Sequence, residues 1–248
     1  GVNPFPQDVT AQMVANFTTG GAAINQLCKV SGAELDVVPL SLEIPTANFV
    51  EQEALTEDEL CSVMNIGAQA VNLDADILLL VEMGFGNSTV SSALAASVFG
   101  GDVARWVGAG TGSDEAGIAR KQEVIEQGLK IHGSRTDLSA LLAFGGREQA
   151  AICGAILAAR IARIPVILDG FICSAAAAPL FDMAPNSLDH CLVGHVSAEP
   201  GHQHLLAAMG KLAILQLDMR LGEGTGAAVA LSVLRGAVAC HNQMATFE

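Results

Sequence analysis

The chain contains no tyrosine, one tryptophan and nine phenylalanines, so aromatic residues fill only 4% of its 248 positions. Rings cannot supply most of a core here. Close packing must come from Ala, Gly and the aliphatic residues, a composition suited to α/β layers. Charge is scarce as well: 15% of residues are charged, with 12 Lys and Arg against 26 Asp and Glu, a formal net charge of −14. Such a balance excludes nucleic acid and anionic membrane surfaces as partners, because both require a basic footprint. An anionic substrate must then be held by local devices. No apolar run reaches the roughly 18 residues expected of a membrane span, and the first residues lack the basic-then-apolar pattern of a secretion signal. The six cysteines, Cys28, Cys61, Cys153, Cys173, Cys191 and Cys240, form no CxxC pair, and several sit in apolar runs such as "AAICGAILAA". Buried thiols in a reducing, cytoplasmic setting are expected.

What is present is apolar material, 51% of the chain, ample for one substantial core. Asp8 or Thr10 is placed to cap a helix running to about Thr18, and a second helix follows the glycine pair at 20 and 21, ending near Val30. "ELDVVPL" reads as a strand. Thr56 and Glu59 have the spacing of a capping box at the head of a helix. "ADILLLVEM" has the continuous apolar pattern of a strand buried on both faces, and it leads through "GFGNST" into the small-residue helix "VSSALAASVFG". The pattern recurs: the helices "ARKQEVIEQGLKIH" and "REQAAICGAILAARIA", the strand "IPVILDGF", the helix "CSAAAAPLF", the strand "HCLVGHV", and "LQLDMRL" as a last strand before a final helix. Alternation of this kind predicts a mostly parallel sheet with right-handed crossovers in one α/β domain spanning residues 1–248.

Ligands of an open parallel sheet bind beyond the carboxyl ends of its strands. Six polar, Gly-rich stretches fall there: "EMGFGNST", "VGAGTGSD", "FGGRE", "LDGF", "HVSAEPGH" and "RLGEGTG". Gly84 and Gly86 permit unusual backbone angles, and Asn87, Ser88 and Thr89 offer donors at a helix start, a combination that suits phosphate. The alternative is a plain strand-to-helix turn. Neither Gly-rich loop carries the G-K-[ST] of a P-loop, so ATP hydrolysis by that mechanism is not expected. Glu223 lies between Gly222 and Gly224 in apolar surroundings. A helix dipole favours its anion while burial raises its pKa, a balance suited to a general base; capping its own helix or pairing with Arg220 remains equally open. Glu82 is a second candidate acid, with hydrogen bonding to its own loop as the alternative. The histidines of "DHCLVGHVSAEPGHQH" lack metal-site spacing, and hydrogen bonds to the loops are expected of them. Lys121, beside Arg120, is either a solvated helix residue or a counter-ion for a phosphate.

"EMGFGNST", "KQEVI", "FGGRE", "IPVILDGF", "HVSAEPGH" and "MRLGEGTGAA", in this order, together with "PFPQDVTAQMVANFTTGGAAIN", resemble the nicotinate-nucleotide:dimethylbenzimidazole phosphoribosyltransferases of cobalamin lower-ligand assembly. The resemblance covers essentially the whole chain. It implies a Rossmann-like, mostly parallel sheet flanked by helices, with remnants of a small helical domain, since family members extend further at the N-terminus and by a short C-terminal tail. It also implies a homodimer needing neither metal nor cofactor. In the implied reaction a benzimidazole nitrogen attacks C1′ of nicotinate mononucleotide, nicotinate leaves and α-ribazole phosphate forms. Glu223 falls on the general base. Glu82, Gly84, Gly86, Asn87, Ser88, Lys121, Gly145 and Gly146 fall on the phosphate and ribose site, and Phe5, Met13, Met83, Leu221 and Gly222 on the azole pocket. Phe5 and Met13 stand where some members place polar groups. A non-catalytic domain that binds a nucleotide or azole is the rival expectation. A Rossmann oxidoreductase is the weaker one, since no G-x-G-x-x-G follows the first strand.

Overall fold

Four short strands, Leu78–Leu80 (β1), Val166–Leu168 (β2), Cys191–His195 (β3) and Ala213–Leu215 (β4), lie side by side in the order β1-β2-β3-β4, every pair parallel. The computed structural model describes residues 2, 6, 8–110 and 112–247. β2 is buried along its whole length, as its apolar run requires of a central strand. Four helices connect β1 to β2: Asn87–Phe99 (α4), Glu115–His132 (α5), Asp137–Phe144 (α6) and Arg147–Ala162 (α7). One helix each, Phe171–Met183 (α8) and Pro200–Met209 (α9), links the later strands. The long last helix Thr225–Gln243 (α10) packs on β3 and touches β1 and β4. No helix among the described residues is long and apolar enough to cross a membrane.

Small residues make the layers fit. Ala175, Ala176, Ala177 and Ala178 of α8 are fully buried, so its axis can approach α4 and α7 closely. Where α7 crosses the helix Glu57–Gln69 (α3), Gly67 faces the Ala151 carbonyl and Gly154 faces the Met64 carbonyl so tightly that a methyl on either would collide with backbone. The expected capping box opens α3: Thr56 Oγ1 accepts from the Glu59 amide at 3.2 Å and Glu59 Oε2 from the Thr56 amide at 3.1 Å. The first helices, Val9–Thr19 (α1) and Ala23–Ser31 (α2), bury Phe17, Ala22, Ile24 and Cys28 against Ala228 of α10.

Three local expectations differ from the structure. "ELDVVPL" is extended but pairs with no strand; it runs along a cavity wall, and Pro39 brings no amide to a ladder. The last strand is Ala213–Leu215, ending where "LQLDMRL" begins, because the chain turns at Asp218, which has a left-handed φ of 52°. Helices α6 and α9 were not anticipated; Pro200 at the head of α9 is the start signal that "HVSAEPGH" carries.

Candidate active site

A cavity of about 940 Å³ runs along the edge strand β1, from the segment just before it to Glu82–Asn87 beyond its carboxyl end. Its polar wall comprises Glu82 and Asn87 after β1, Arg147 and Glu148 at the head of α7, and Glu223 before α10. Phe17, Ile24 and Cys28 form an apolar wall opposite the extended segment 34–42. A sugar with its hydroxyls and a flat apolar ring could thus be held in one space; Ser88 and Lys121 do not line it.

The loop carrying Glu223 has an unusual backbone. Gly222, Glu223 and Gly224 are all left-handed, with φ of 78°, 57° and 75°. That conformation is strained for a glutamate, by about 1 kcal/mol or more, and it must be held from outside. Thr225 donates to the Gly222 carbonyl through its amide at 3.1 Å and its hydroxyl at 2.8 Å. Asp169, just past β2, does the rest: its Oδ1 accepts from the Ala227 amide at 2.7 Å, and the amides of Gly224 and Gly226 donate to the same carboxylate. Burial raises the Asp169 pKa, while His195, whose Nε2 lies 3.8 Å from Oδ1, and the three amides oppose the rise. A carboxylate from another strand therefore occupies the anion site at the head of α10. Gly224 meanwhile presses on Val81 so closely that a methyl there would collide with the valine side chain. This contact brings the end of the chain back beside β1.

Glu223 is consequently free. It neither caps α10 nor pairs with Arg220, and its carboxylate has no hydrogen bond or ion pair among the described residues. Partial burial raises its pKa.

Glu82 is the opposite case. Its Oε2 accepts from the Gly84 amide at 3.0 Å and from Asn87 Nδ2. Burial above all, then the facing Glu148, pushes its pKa up to about 8, with Asp169 adding to the rise and the Gly84 and Asn87 bonds opposing it. Next along this loop, Ser88 Oγ stands 3.3 Å from Lys121 Nζ, which also reaches the carbonyls of Gly108 and Ala109 at 3.4 Å. Lys121 is 4% exposed, no solvated lysine; burial lowers its pKa and Glu199 counters that. Glu199 in turn accepts from the Gly110 amide at 2.8 Å. A cation, a hydroxyl and a Gly-rich turn thus converge beside the start of α4.

The fold brings Glu82, Met83, Gly84, Asn87, Gly146 and Glu223 to the main cavity. Met13 and Met83 pack on the same Phe17–Ala228 cluster beside it. Gly86 caps α4 with a left-handed φ of 81° and lines a second, smaller cavity of about 230 Å³. Gly145 closes α6, its amide donating to the Leu141 carbonyl at 2.8 Å. Leu221 is 58% exposed at the loop rim, next to Gly222. Phe5 lies outside the described residues. Asp169, Glu148 and Glu199 are functional-site residues that no single motif singles out, although each lies within one of the Gly-rich stretches, "LDGF", "FGGRE" and "HVSAEPGH". Of the histidines, His202 hydrogen-bonds as expected: its Nδ1 accepts from the Ser197 amide at 2.9 Å and its Nε2 meets Ser174 Oγ at 3.0 Å. Burial and His195 lower its pKa to about 3. Cys191 is buried, with its thiol pushed up to about 12 by burial, and is no nucleophile.

Known proteins match this chain along its whole length. A family described as "Phosphoribosyltransferase" matches residues 1–248. The nicotinate-nucleotide–dimethylbenzimidazole phosphoribosyltransferase of Rhodobacter capsulatus is 58% identical over 247 residues, which cover 100% of this chain and 74% of that protein. The protein of the same name from Roseobacter denitrificans is 56% identical over 248 residues, with the same coverage of 100% and 74%. The crystal structure of CobT from Thermus thermophilus superposes with a TM-score of 0.85 at 37% identity, covering 96% of this chain and 78% of that one.

Proposed function

This chain belongs to the nicotinate-nucleotide–dimethylbenzimidazole phosphoribosyltransferase family, and we propose that its cavity holds nicotinate mononucleotide and a benzimidazole, with Glu223 as the general base of the transfer between them. The protein is an enzyme, a phosphoribosyltransferase of cobalamin biosynthesis. The transfer forms one bond and breaks one: a benzimidazole nitrogen bonds to C1′, and the bond from C1′ to the nicotinate ring nitrogen breaks, its electron pair returning to that ring. The proton on the attacking heterocycle passes to Glu223, and α-ribazole phosphate and nicotinate result. Because the leaving group is already a pyridinium, placement and charge stabilisation matter more than acid catalysis.

The observation that carries this assignment is the Glu223 carboxylate, which lines the cavity without a partner among the described residues and whose pKa burial raises. A base must have a free oxygen, and a raised pKa makes a carboxylate a stronger one. Lys121 with Ser88 would receive the phosphate, Glu82 and Asn87 the ribose, and Met13, Met83 and Phe17 the flat ring. Incubation with nicotinate mononucleotide and 5,6-dimethylbenzimidazole should yield nicotinate and α-ribazole phosphate in equal amounts. Nicotinate release that is indifferent to the azole, or the absence of riboside phosphate, would refute the assignment.

We also propose that the enzyme acts in the cytoplasm as a homodimer. All six cysteines are unpaired, and the outer half of α10 exposes Val233 and Val238, with Met244 just beyond it. A monomeric mass by light scattering would remove the dimer.

A further inference from the structure

Two carboxylates of the cavity wall, Glu82 and Glu148, meet at the loop after β1. Glu148 sits in the first turn of α7, near the left-handed turn at the head of α4. A methyl placed on Gly84 would stand 2.8 Å from Asn87 Nδ2 and 2.9 Å from Glu148 Oε1, so the Glu148 carboxylate abuts the loop that carries Glu82. The Asn87 amide donates to Glu82 Oε2 and also favours the Glu148 anion. Cations near the pair are spent elsewhere: the Arg147 guanidinium holds Glu59 Oε1 at 3.1 Å and the Ile44 carbonyl, and Lys121 faces Ser88. Asp169 adds negative charge toward Glu82, Arg147 is a weak opposing influence on Glu148, and Glu223 lines the same cavity.

Two such carboxyls cannot both ionise at low cost. Burial and the facing Glu148 raise Glu82 to about 8, and burial raises Glu148 as well. A pair holding one proton offers one donor and one acceptor side by side, which matches two neighbouring hydroxyls. It repels phosphate and gives a flat azole little to bind. We propose that Glu82 and Glu148 act as one proton-sharing pair that grips the vicinal diol of the ribose, making Glu148 a binding residue of the nucleotide. This rests on the nucleotide assignment above.

The test compares the wild type with Glu148→Gln, using nicotinate mononucleotide and its 2′-deoxy analogue. Calorimetric binding of the nucleotide alone, without azole, separates the pair from the transfer reaction, so that failure of either is seen by itself. In the wild type the deoxy analogue should bind about 10- to 100-fold more weakly, the range of a hydrogen bond to a charged group, and nucleotide affinity should fall as pH rises through about 8. In Glu148→Gln the deoxy penalty should shrink at least about tenfold, and the alkaline fall should move to lower pH. An unchanged penalty and an unchanged alkaline fall would overturn the pair, whether or not turnover is lost. Should Glu148→Gln fail to fold, Glu148→Asp, which keeps the charge but shortens the reach, must still weaken the diol preference while leaving phosphate binding intact.

Discussion

The loops that carry Glu82 and Glu223 follow one plan: a strand end, an acid among glycines, a left-handed Gly cap and an apolar helix. They use it in opposite ways. Glu82 is tied to its own loop by the Gly84 amide and Asn87, and its neighbour Glu148 keeps a proton in the pair. Glu223 has no hydrogen-bond or ion-pair partner among the described residues, because Asp169 has taken the amides at the head of α10 that an acid in its place would otherwise seek. An acid that spends its lone pairs on its own loop can bind; one relieved of that duty can take a proton. The difference lies in a third residue, from a third strand end, and not in either motif.

The contrast can be broken most severely at Glu223. Glu223→Gln should lower turnover by about 10² to 10⁴ while nucleotide affinity holds, as expected for loss of a general base; steady-state kinetics with 5,6-dimethylbenzimidazole decides, and undiminished turnover removes the base. Asp169→Ala strikes the residue that keeps Glu223 free. Its loss leaves the amides of Ala227, Gly224 and Gly226 seeking an acceptor. Turnover should fall about 10- to 100-fold through misplacement, with a stability loss of about 1–3 kcal/mol for the unpaired groups. Kinetics beside urea unfolding would test both, and a wild-type turnover would show that the loop holds itself. Gly224→Ala sharpens the same point, since a methyl there meets Val81 and the residue must keep a φ of 75°. A loss of about 1–3 kcal/mol is expected from overpacking, read as a lower midpoint of unfolding. A last prediction concerns the pH dependence that Glu82 confers. Its pKa is raised from 4.5 to about 8, so the folded state holds the proton more tightly than the unfolded chain. That stabilising contribution is complete below pH 4.5 and fades as pH rises toward about 8. Glu82→Gln should therefore flatten the fall of melting temperature across this interval, and an unaltered slope would show that Glu82 titrates normally.

Much of this was legible in the residues. The apolar runs placed β1, β2 and β3, and the Thr56–Glu59 spacing placed the start of α3. "ELDVVPL" had the composition of a strand, yet pairing depends on an open edge and on amides that Pro39 does not have. "LQLDMRL" reads as the last strand, but the strand is the overlapping apolar stretch Ala213–Leu215, because the left-handed Asp218 turns the chain. Glu148 and Glu199 were hidden for a different reason. Each stands at the head of a helix, where an acid is ordinary, and only the neighbouring loops show what they face.

The sequence by itself determined the alternation of strand and helix, the Gly-rich turns at the strand ends, and the two acids set within them, because periodicity and turn chemistry act over a few residues. Tertiary structure alone decided which acid is bound and which is free. That outcome follows from strand order and from the contact of Gly224 with Val81, which join segments far apart in the chain. It also follows from the Asp169 carboxylate, buried at the end of β2, where the cost of an unpaired charge compels it to take the amides of α10.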